Sequence, residues 1–157
     1  MINYALEEVT YEGCPSCAFA RGEFSLPCGM AYENERFMLS QDWELPIEGF
    51  FVVTPKSCVE KFSELTSDEQ HEMFDIVNKT IEILRENNIC ERFNVLFEEK
   101  ENRHLHIWIM PRHEWMEQFG SITKHIDDIF KHAKANFRNE DVYKRINEIS
   151  DIVRNNF

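Results

Sequence analysis

The chain lacks long hydrophobic runs and a surplus of positive charge, and each absence excludes a class of protein. No stretch approaches the roughly 18 consecutive apolar residues of a membrane-spanning helix, and residues 1–8 lack the basic start and apolar core of an export signal. Lysine and arginine number 17 against 29 acidic residues, giving a formal charge of −12, so we expect no sequence-independent grip on nucleic acid. We therefore expect a cytoplasmic protein with neither a membrane nor a nucleic acid as its partner.

Glycine and proline are also scarce, at five each, and half of them fall within residues 1–36. That clustering predicts an irregular first segment with turns throughout and little core. The chain as a whole has 157 residues and 43% hydrophobic content, which is enough for one full core.

Beyond residue 36 the pattern predicts regular elements. Short apolar stretches bounded by turn residues predict two buried strands, at 37–39 and 49–54. Partly alternating patterns predict two further strands, at 92–98 and from His104 onward. The last two are close enough in sequence to form an antiparallel hairpin. Thr66 with Glu69, or Ser67 with Gln70, forms a capping box that starts a helix with apolar residues at helical spacing.

After Trp115 the apolar period becomes helical. Two amphipathic helices are predicted, over 122–137 and 142–153, with Asn139 as a possible cap between them. We divide the chain into a main domain, 1–117, and a C-terminal helical extension, 118–157, packed on the same domain. The element order predicts an α+β fold, an antiparallel sheet with helices on one side or end.

The five cysteines include one close pair, Cys14 and Cys17. In a reducing compartment, an odd number with a close pair favours metal or redox chemistry over a disulfide framework. Zinc takes thiolate and imidazole ligands in a tetrahedral set of four. Cys58, after a predicted strand, and His104, at the start of another, are the candidates that would complete a structural zinc site and tie the first segment to the sheet.

Alternatives remain for each cysteine. Cys28 is a rival ligand, although it and Cys90 also fit the pattern of small buried hydrophobic residues, as Cys58 does. A Cys-x-x-Cys pair around a proline also occurs in thioredoxin-like redox sites. That reading needs a preceding buried strand, and residues 2–10 are too acidic for one.

His104 and His106 alternate with apolar residues in the sequence His-Leu-His-Ile-Trp-Ile-Met-Pro-Arg, residues 104–112. Alternation on a strand places both imidazoles on one face, with Cα atoms about 6.6 Å apart. They are either part of one site or two polar residues on the exposed side of a half-buried strand.

This segment resembles the histidine-triad (HIT) motif, in which histidines alternate with hydrophobic residues on a strand, often before Pro-Arg. The stretch 49–59 is similar to the family's strand and Pro-Lys turn, and 62–66 to the lead into its long helix. The resemblance covers roughly residues 10–116. It points to the zinc-containing nucleotide hydrolase and transferase branch, similar to diadenosine polyphosphate hydrolases. In that branch, and in the related galactose-1-phosphate uridylyltransferases, zinc is held by a Cys-x-x-Cys pair, a histidine in the turn and the first histidine of the motif. The resemblance therefore implies that the zinc ligands of this chain are Cys14, Cys17, Cys58 and His104, with Cys58 at the position of the turn histidine.

The resemblance also implies a catalytic role for His106, whose position is that of the histidine that attacks the α-phosphorus of a nucleotide. Trp108 stands where the third histidine is expected, so it can donate or stack but cannot shuttle a proton. The phosphate-cradling elements before the motif are replaced by a shorter, acidic stretch, 99–103. Trp108 and Arg112 are therefore the predicted substrate-binding residues, with Arg103 and Lys56 as weaker candidates.

Three functions follow from these residues. The first is a hydrolase or transferase acting on nucleoside or dinucleoside polyphosphates through a nucleotidyl-histidine intermediate. The second is a zinc-stabilised nucleotide-binding module without catalysis, and the third is a Cys-x-x-Cys redox protein. The resemblance also implies a possible homodimer.

Overall fold

The computed structural model describes residues 1–97, 99 and 104–157. It contains a five-stranded antiparallel sheet in the order β1-β2-β3-β5-β4. The strands are β1 (Tyr32–Glu33), β2 (Phe37–Gln41), β3 (Phe51–Pro55), β4 (Phe93–Phe97) and β5 (Ile107–Pro111). The α-helices are α1 (Pro15–Ala20), α2 (Ser67–Glu86), α3 (Ile122–Asn136) and α4 (Glu140–Asn156), with 3₁₀ turns at Phe62–Glu64 and Glu114–Phe119. The predicted α+β class is confirmed. Within the described ranges, no helix has the combined length and hydropathy to cross a bilayer.

Local sequence signals account for the starts of α2 and α4. Thr66 and Glu69 form the predicted capping box, in which each side chain binds the other residue's backbone N–H, at the start of α2. Asn139 caps α4 by accepting from the backbone N–H of Val142. The β4–β5 ladder, which pairs Val95 with Ile109, confirms the hairpin.

The histidines lie just before β5 rather than within it, which corrects the expectation that the strand carries them. The β3–β5 ladder begins at the pair Val53 and Ile107. The backbone N–H of Leu105 donates instead to the carbonyl of Val59, at 2.7 Å. Pro55, at the corresponding end of β3, has no N–H with which to extend the ladder. His104 and His106 therefore occupy an extended segment fixed by other contacts.

Helices cover both faces of the sheet, so the expectation that they lie on one side or end was wrong. One face, which includes Val53 and Ile107, packs against α2 and part of α4 in the largest hydrophobic cluster. The opposite face packs against α3, because Met110 shares a second cluster with the buried Ile129 of α3. The apolar side of α3 is thus buried against the apolar residues of this second sheet face.

The first segment also contributes more core than its composition suggests. Tyr4, Phe19 and Leu26 are buried, and they form a third cluster with Met38 of the sheet. The segment also contains two regular elements, α1 and the short strand β1. Helix α1 begins with Pro15, at a position where proline's missing N–H costs nothing. The prediction of little core in residues 1–36 was therefore wrong, since aromatic side chains spaced along turns can still converge.

Candidate functional site

Four potential metal ligands converge at the end of the sheet where the histidine segment begins. The Sγ atoms of Cys14, Cys17 and Cys58 and a ring nitrogen of His104 all lie within 4.8 Å of one another. Cys14 immediately precedes α1, and Cys17 lies one turn into it. The structure therefore brings together the four residues that the sequence singled out as a set.

Hydrogen bonding leaves one nitrogen of His104 directed at the sulfurs. Its Nε2–H donates to the carbonyl of Pro55 at 2.8 Å, while Nδ1 lies 3.4 Å from the Sγ of both Cys14 and Cys17. The side chain is 1% exposed, and that burial lowers the pKa of His104. A neutral imidazole whose outer nitrogen is held by a carbonyl is the form in which histidine binds a metal.

The thiols are crowded in a way that a bound cation would relieve. Burial and hydrogen bonds from Cys58 and Cys14 raise the pKa of Cys17 to about 12. Zinc prefers thiolate and imidazole donors, and here three sulfurs and an imidazole nitrogen lie within 4.8 Å of one another. A dication would stabilise the thiolates that this crowding otherwise disfavours. The donors present thus fit zinc.

The other two cysteines lie outside this cluster. Cys28 is 7% exposed and packs in the third hydrophobic cluster, as the pattern of a small buried residue predicts. It is not among the residues that could share a metal, so its role as a rival ligand is excluded for the described residues. Cys90 is only partly buried, and its thiol donates to the carbonyl of Arg92 at 3.0 Å.

His106 is held in one orientation by its neighbour. Its Nδ1–H donates to the backbone carbonyl of His104 at 3.1 Å, which leaves the lone pair on Nε2. The residue is 9% exposed. This bond fixes the orientation of the ring and directs Nε2 away from the His104 carbonyl.

Trp108 follows His106 on the same side of the chain, with ring centroids 5.6 Å apart and planes tilted by 48°. Its indole makes edge contacts with Phe50, at 5.9 Å, and with Phe130 of α3, at 5.7 Å. Among the described residues no acceptor binds the indole N–H. Trp108 therefore combines a packed ring with an available donor.

Arg112 is six residues from His106 along an extended chain, which places the two Cα atoms about 20 Å apart. Its Nη2 donates to the carbonyl of Gly120 at 3.3 Å. The structure does not bring Arg112 to His106. Lys56 is paired with Glu33 at 2.7 Å. Arg103, and the replaced phosphate-cradling stretch apart from Glu99, lie outside the described residues.

Sequence reasoning missed two hydroxyls on this face of the sheet. The register that pairs Val53 with Ile107 places Thr54 beside His106, and Ser40 pairs with Val52 in the row that includes Trp108. Thr54 and Ser40 are 6% and 4% exposed. Both residues lie in short apolar strands, where they alternate with the side chains of the main core. This alternation could have shown that the two hydroxyls lie on the opposite sheet face.

Comparisons with known proteins agree with this fold. No family model matches the chain. An uncharacterized HIT-like protein of Methanocaldococcus jannaschii is 28% identical over 131 residues, which cover 78% of this chain and 99% of that relative. Protein hit of Bacillus subtilis is 28% identical over 123 residues, which cover 74% and 83%. A solved Zn-bound histidine triad family protein from Mycobacterium smegmatis shares the fold, with a TM-score of 0.64 and 17% identity over 91% of each chain.

The fold is that of the solved histidine-triad protein. In sequence, the chain is similar to proteins described as HIT or HIT-like.

Proposed function

We propose that the chain is a nucleotide hydrolase or transferase that acts on nucleoside or dinucleoside polyphosphates through a nucleotidyl-histidine intermediate. The observation that carries the proposal is the fixed tautomer of His106, whose Nδ1–H is bonded to the His104 carbonyl so that Nε2 keeps its lone pair. Neutral imidazole is a good nucleophile near neutral pH and later a good leaving group.

The reaction divides into two displacements. In the first, the Nε2 lone pair of His106 forms a bond to the α-phosphorus, and the bond from phosphorus to the bridging oxygen breaks with its electrons on the leaving phosphate. In the second, the oxygen of water or another acceptor attacks phosphorus and the P–N bond breaks, which returns the electron pair to Nε2. The acceptor's proton passes to solvent. The His104 carbonyl stabilises the positive charge that the ring bears in the intermediate.

Two donors lie beside His106 and could bind the phosphate oxygens. The Trp108 indole N–H has no acceptor in the described residues, and the register places the Thr54 hydroxyl next to His106. The Ser40 hydroxyl is on the same sheet face but two strands away from β5. These neutral donors supply hydrogen bonds without a net charge. Arg112 is left out of this mechanism because it lies about 20 Å along the chain from His106.

Zinc, in this proposal, is held by Cys14, Cys17, Cys58 and His104 and supplies a structural cross-link. It joins α1 to the segment that orients His106, since the ring of His104 is one ligand and its carbonyl is the partner of His106. Thiolate ligands need a reducing environment, which is why a cytoplasmic location belongs to the proposal.

The direct test is hydrolysis of a nucleotide panel that includes ATP, ADP and a diadenosine polyphosphate, with each of several bases. We expect the parent protein to release a nucleoside monophosphate and His106→Ala to lose turnover by at least about 100-fold. His125→Ala, which removes an exposed imidazole, is the matched control and should retain parent turnover. Equal turnover in the parent and in His106→Ala would exclude the mechanism.

A second candidate, nucleotide binding without catalysis, is favoured by Trp108, which stands where the resemblance expects a third histidine and cannot shuttle a proton near neutrality. The acidic stretch that replaces the phosphate-cradling elements favours it as well. Calorimetry that detects tight nucleotide binding, together with no product on prolonged incubation, would select this candidate.

The possible homodimer is also a proposal. Strand β4 is at one edge of the sheet, and two of its apolar side chains, Val95 and Phe97, are 40% and 48% exposed. Phe74 of α2 is also exposed, at 44%. The ring of Phe62 lies between Phe74 and Phe97, with centroid distances of 5.8 and 5.7 Å. An apolar edge strand is a surface on which a second copy can pair.

A further inference from the structure

The C-terminal extension contacts the indole that lies beside His106. Phe130 of α3 meets Trp108 at a tilt of 73°, and Phe50 meets it at 83°, so two rings present their edges to the indole. Edge contacts of this kind favour one orientation of the enclosed ring. A third ring beside the indole is that of His106, with the ring centroids 5.6 Å apart.

Helix α3 is itself firmly placed. Its residues Ile122, Ile129 and Ala133 are 2% exposed or less and pack against the loop that joins β2 to β3. Lys134 also pairs with Glu44 of that loop. Phe130 lies in this anchored helix, and its ring also contacts Phe50 at 6.1 Å, which restricts its movement away from Trp108.

We infer that Phe130 is a positioning residue for the proposed reaction. Its ring holds the Trp108 indole against His106, so that the indole N–H is directed toward the phosphate. The extension is therefore part of the site rather than an addition to the core. This inference rests on the proposed function for its catalytic consequence, but the geometry it claims can be measured without any nucleotide.

The structural arm uses a chain in which Trp108 is the remaining tryptophan, made by Trp43→Phe and Trp115→Phe. In that background, Phe130→Ala should shift Trp108 emission to longer wavelength and raise acrylamide quenching at least about twofold, because the indole loses a packed neighbour. Phe137→Ala is the matched control, since Phe137 lies just beyond the same helix and contacts Trp115 and His132 but not Trp108. It should leave the emission unchanged, and Phe130→Tyr should restore the parent spectrum.

The functional arm is a double-mutant cycle on nucleotide turnover. Phe130→Ala should lower kcat by about tenfold with the native Trp108 and have no further effect in Trp108→Ala, because the two side chains act together. A residue that merely stabilised the fold would lower activity in both backgrounds. Melting curves of each variant show whether it is folded.

Equal spectral changes in Phe130→Ala and Phe137→Ala, or additive effects in the cycle, would overturn the inference. If no variant, including the parent, turns over or binds any nucleotide of the panel, the proposed function fails. The spectra then decide the positioning of Trp108 on their own.

Discussion

The Nδ1–H of His106 donates to the backbone carbonyl of His104, whose own ring faces two cysteine sulfurs. One residue thus connects the cysteine cluster to the proposed nucleophile. Its Nδ1 is directed at the sulfurs, its Nε2 is held by Pro55, and its carbonyl fixes the next imidazole. Displacement of His104 would therefore disturb both the cysteine cluster and the orientation of the His106 ring.

The first prediction concerns the metal. Protein purified without chelator should contain about one zinc per chain, and Cys58→Ser should lose most of it, because a hydroxyl is a poor substitute for a thiolate. Since structural zinc contributes on the order of 10 kcal/mol in small domains, Cys58→Ser should melt at least about 10 °C lower. Elemental analysis and thermal melts measure both.

Cys90→Ser is the matched control for the metal. Cys90 is outside the cluster, and its bond to the Arg92 carbonyl is one that a hydroxyl can also donate. It should keep the parent's metal content and melting temperature. Zinc retained in full by Cys58→Ser would contradict the assignment of the ligands.

The second prediction is that Trp108→His improves reaction with poor leaving groups. The indole cannot release a proton near neutrality, whereas an imidazole can, and general acid catalysis typically contributes 100-fold or more. Turnover of a nucleoside phosphoramidate should therefore rise at least about tenfold in Trp108→His, and that of an anhydride should change less. Steady-state kinetics on the two substrates check this, and an equal change in both would argue against leaving-group protonation at this position.

The third prediction concerns Asp42, in the turn after β2. Burial raises the pKa of its carboxyl to about 6, although the backbone N–H groups of Glu44 and Leu45 bind it and lower the pKa in part. An acid whose pKa is higher in the folded protein binds its proton more tightly there, so stability is greatest below its ordinary pKa and falls as the pH rises toward 6.

Asp42→Asn should remove that loss while its amide oxygen still accepts both backbone bonds. We expect the variant to be more stable than the parent by roughly 1 kcal/mol at pH 7.5 and to match it near pH 4. Urea unfolding at the two pH values measures the difference. Asp127→Asn, at an exposed position of α3, should show no such pH dependence. A variant of Asp42 that is no more stable at pH 7.5 would show that the carboxyl is solvated.

The fourth prediction concerns the edge strand. If β4 pairs with a second copy, Val95→Lys together with Phe97→Lys should convert a dimer to a monomer, because charged side chains on an edge oppose strand pairing. Sedimentation of the parent and the variant at several concentrations measures the state. Replacing exposed charges elsewhere, as in Lys144→Glu, should leave it unchanged, and a dimer that survives both lysines would place the interface on another surface.

Local sequence patterns were sufficient for most elements. The capping box at Thr66, the alternation in β4 and the stripes of α3 and α4 each depend on neighbours within a few residues, and the structure confirms them. The exact start of β5 was not predictable in this way, because it depends on where Pro55 ends the ladder in another strand. The aromatic core of the first segment was missed for the same reason, since its partners lie on β2 and α4.

The sequence by itself determined which donors are present and how they are spaced, with two cysteines three residues apart and two histidines two apart. Spacing decides which side chains share a face, because backbone geometry is local. Only the tertiary structure decided that Cys14 meets His104 across 90 residues, and that α3 sets Phe130 against Trp108. Those contacts arise from packing of apolar surfaces that are distant along the chain, and no local pattern specifies which of them come together.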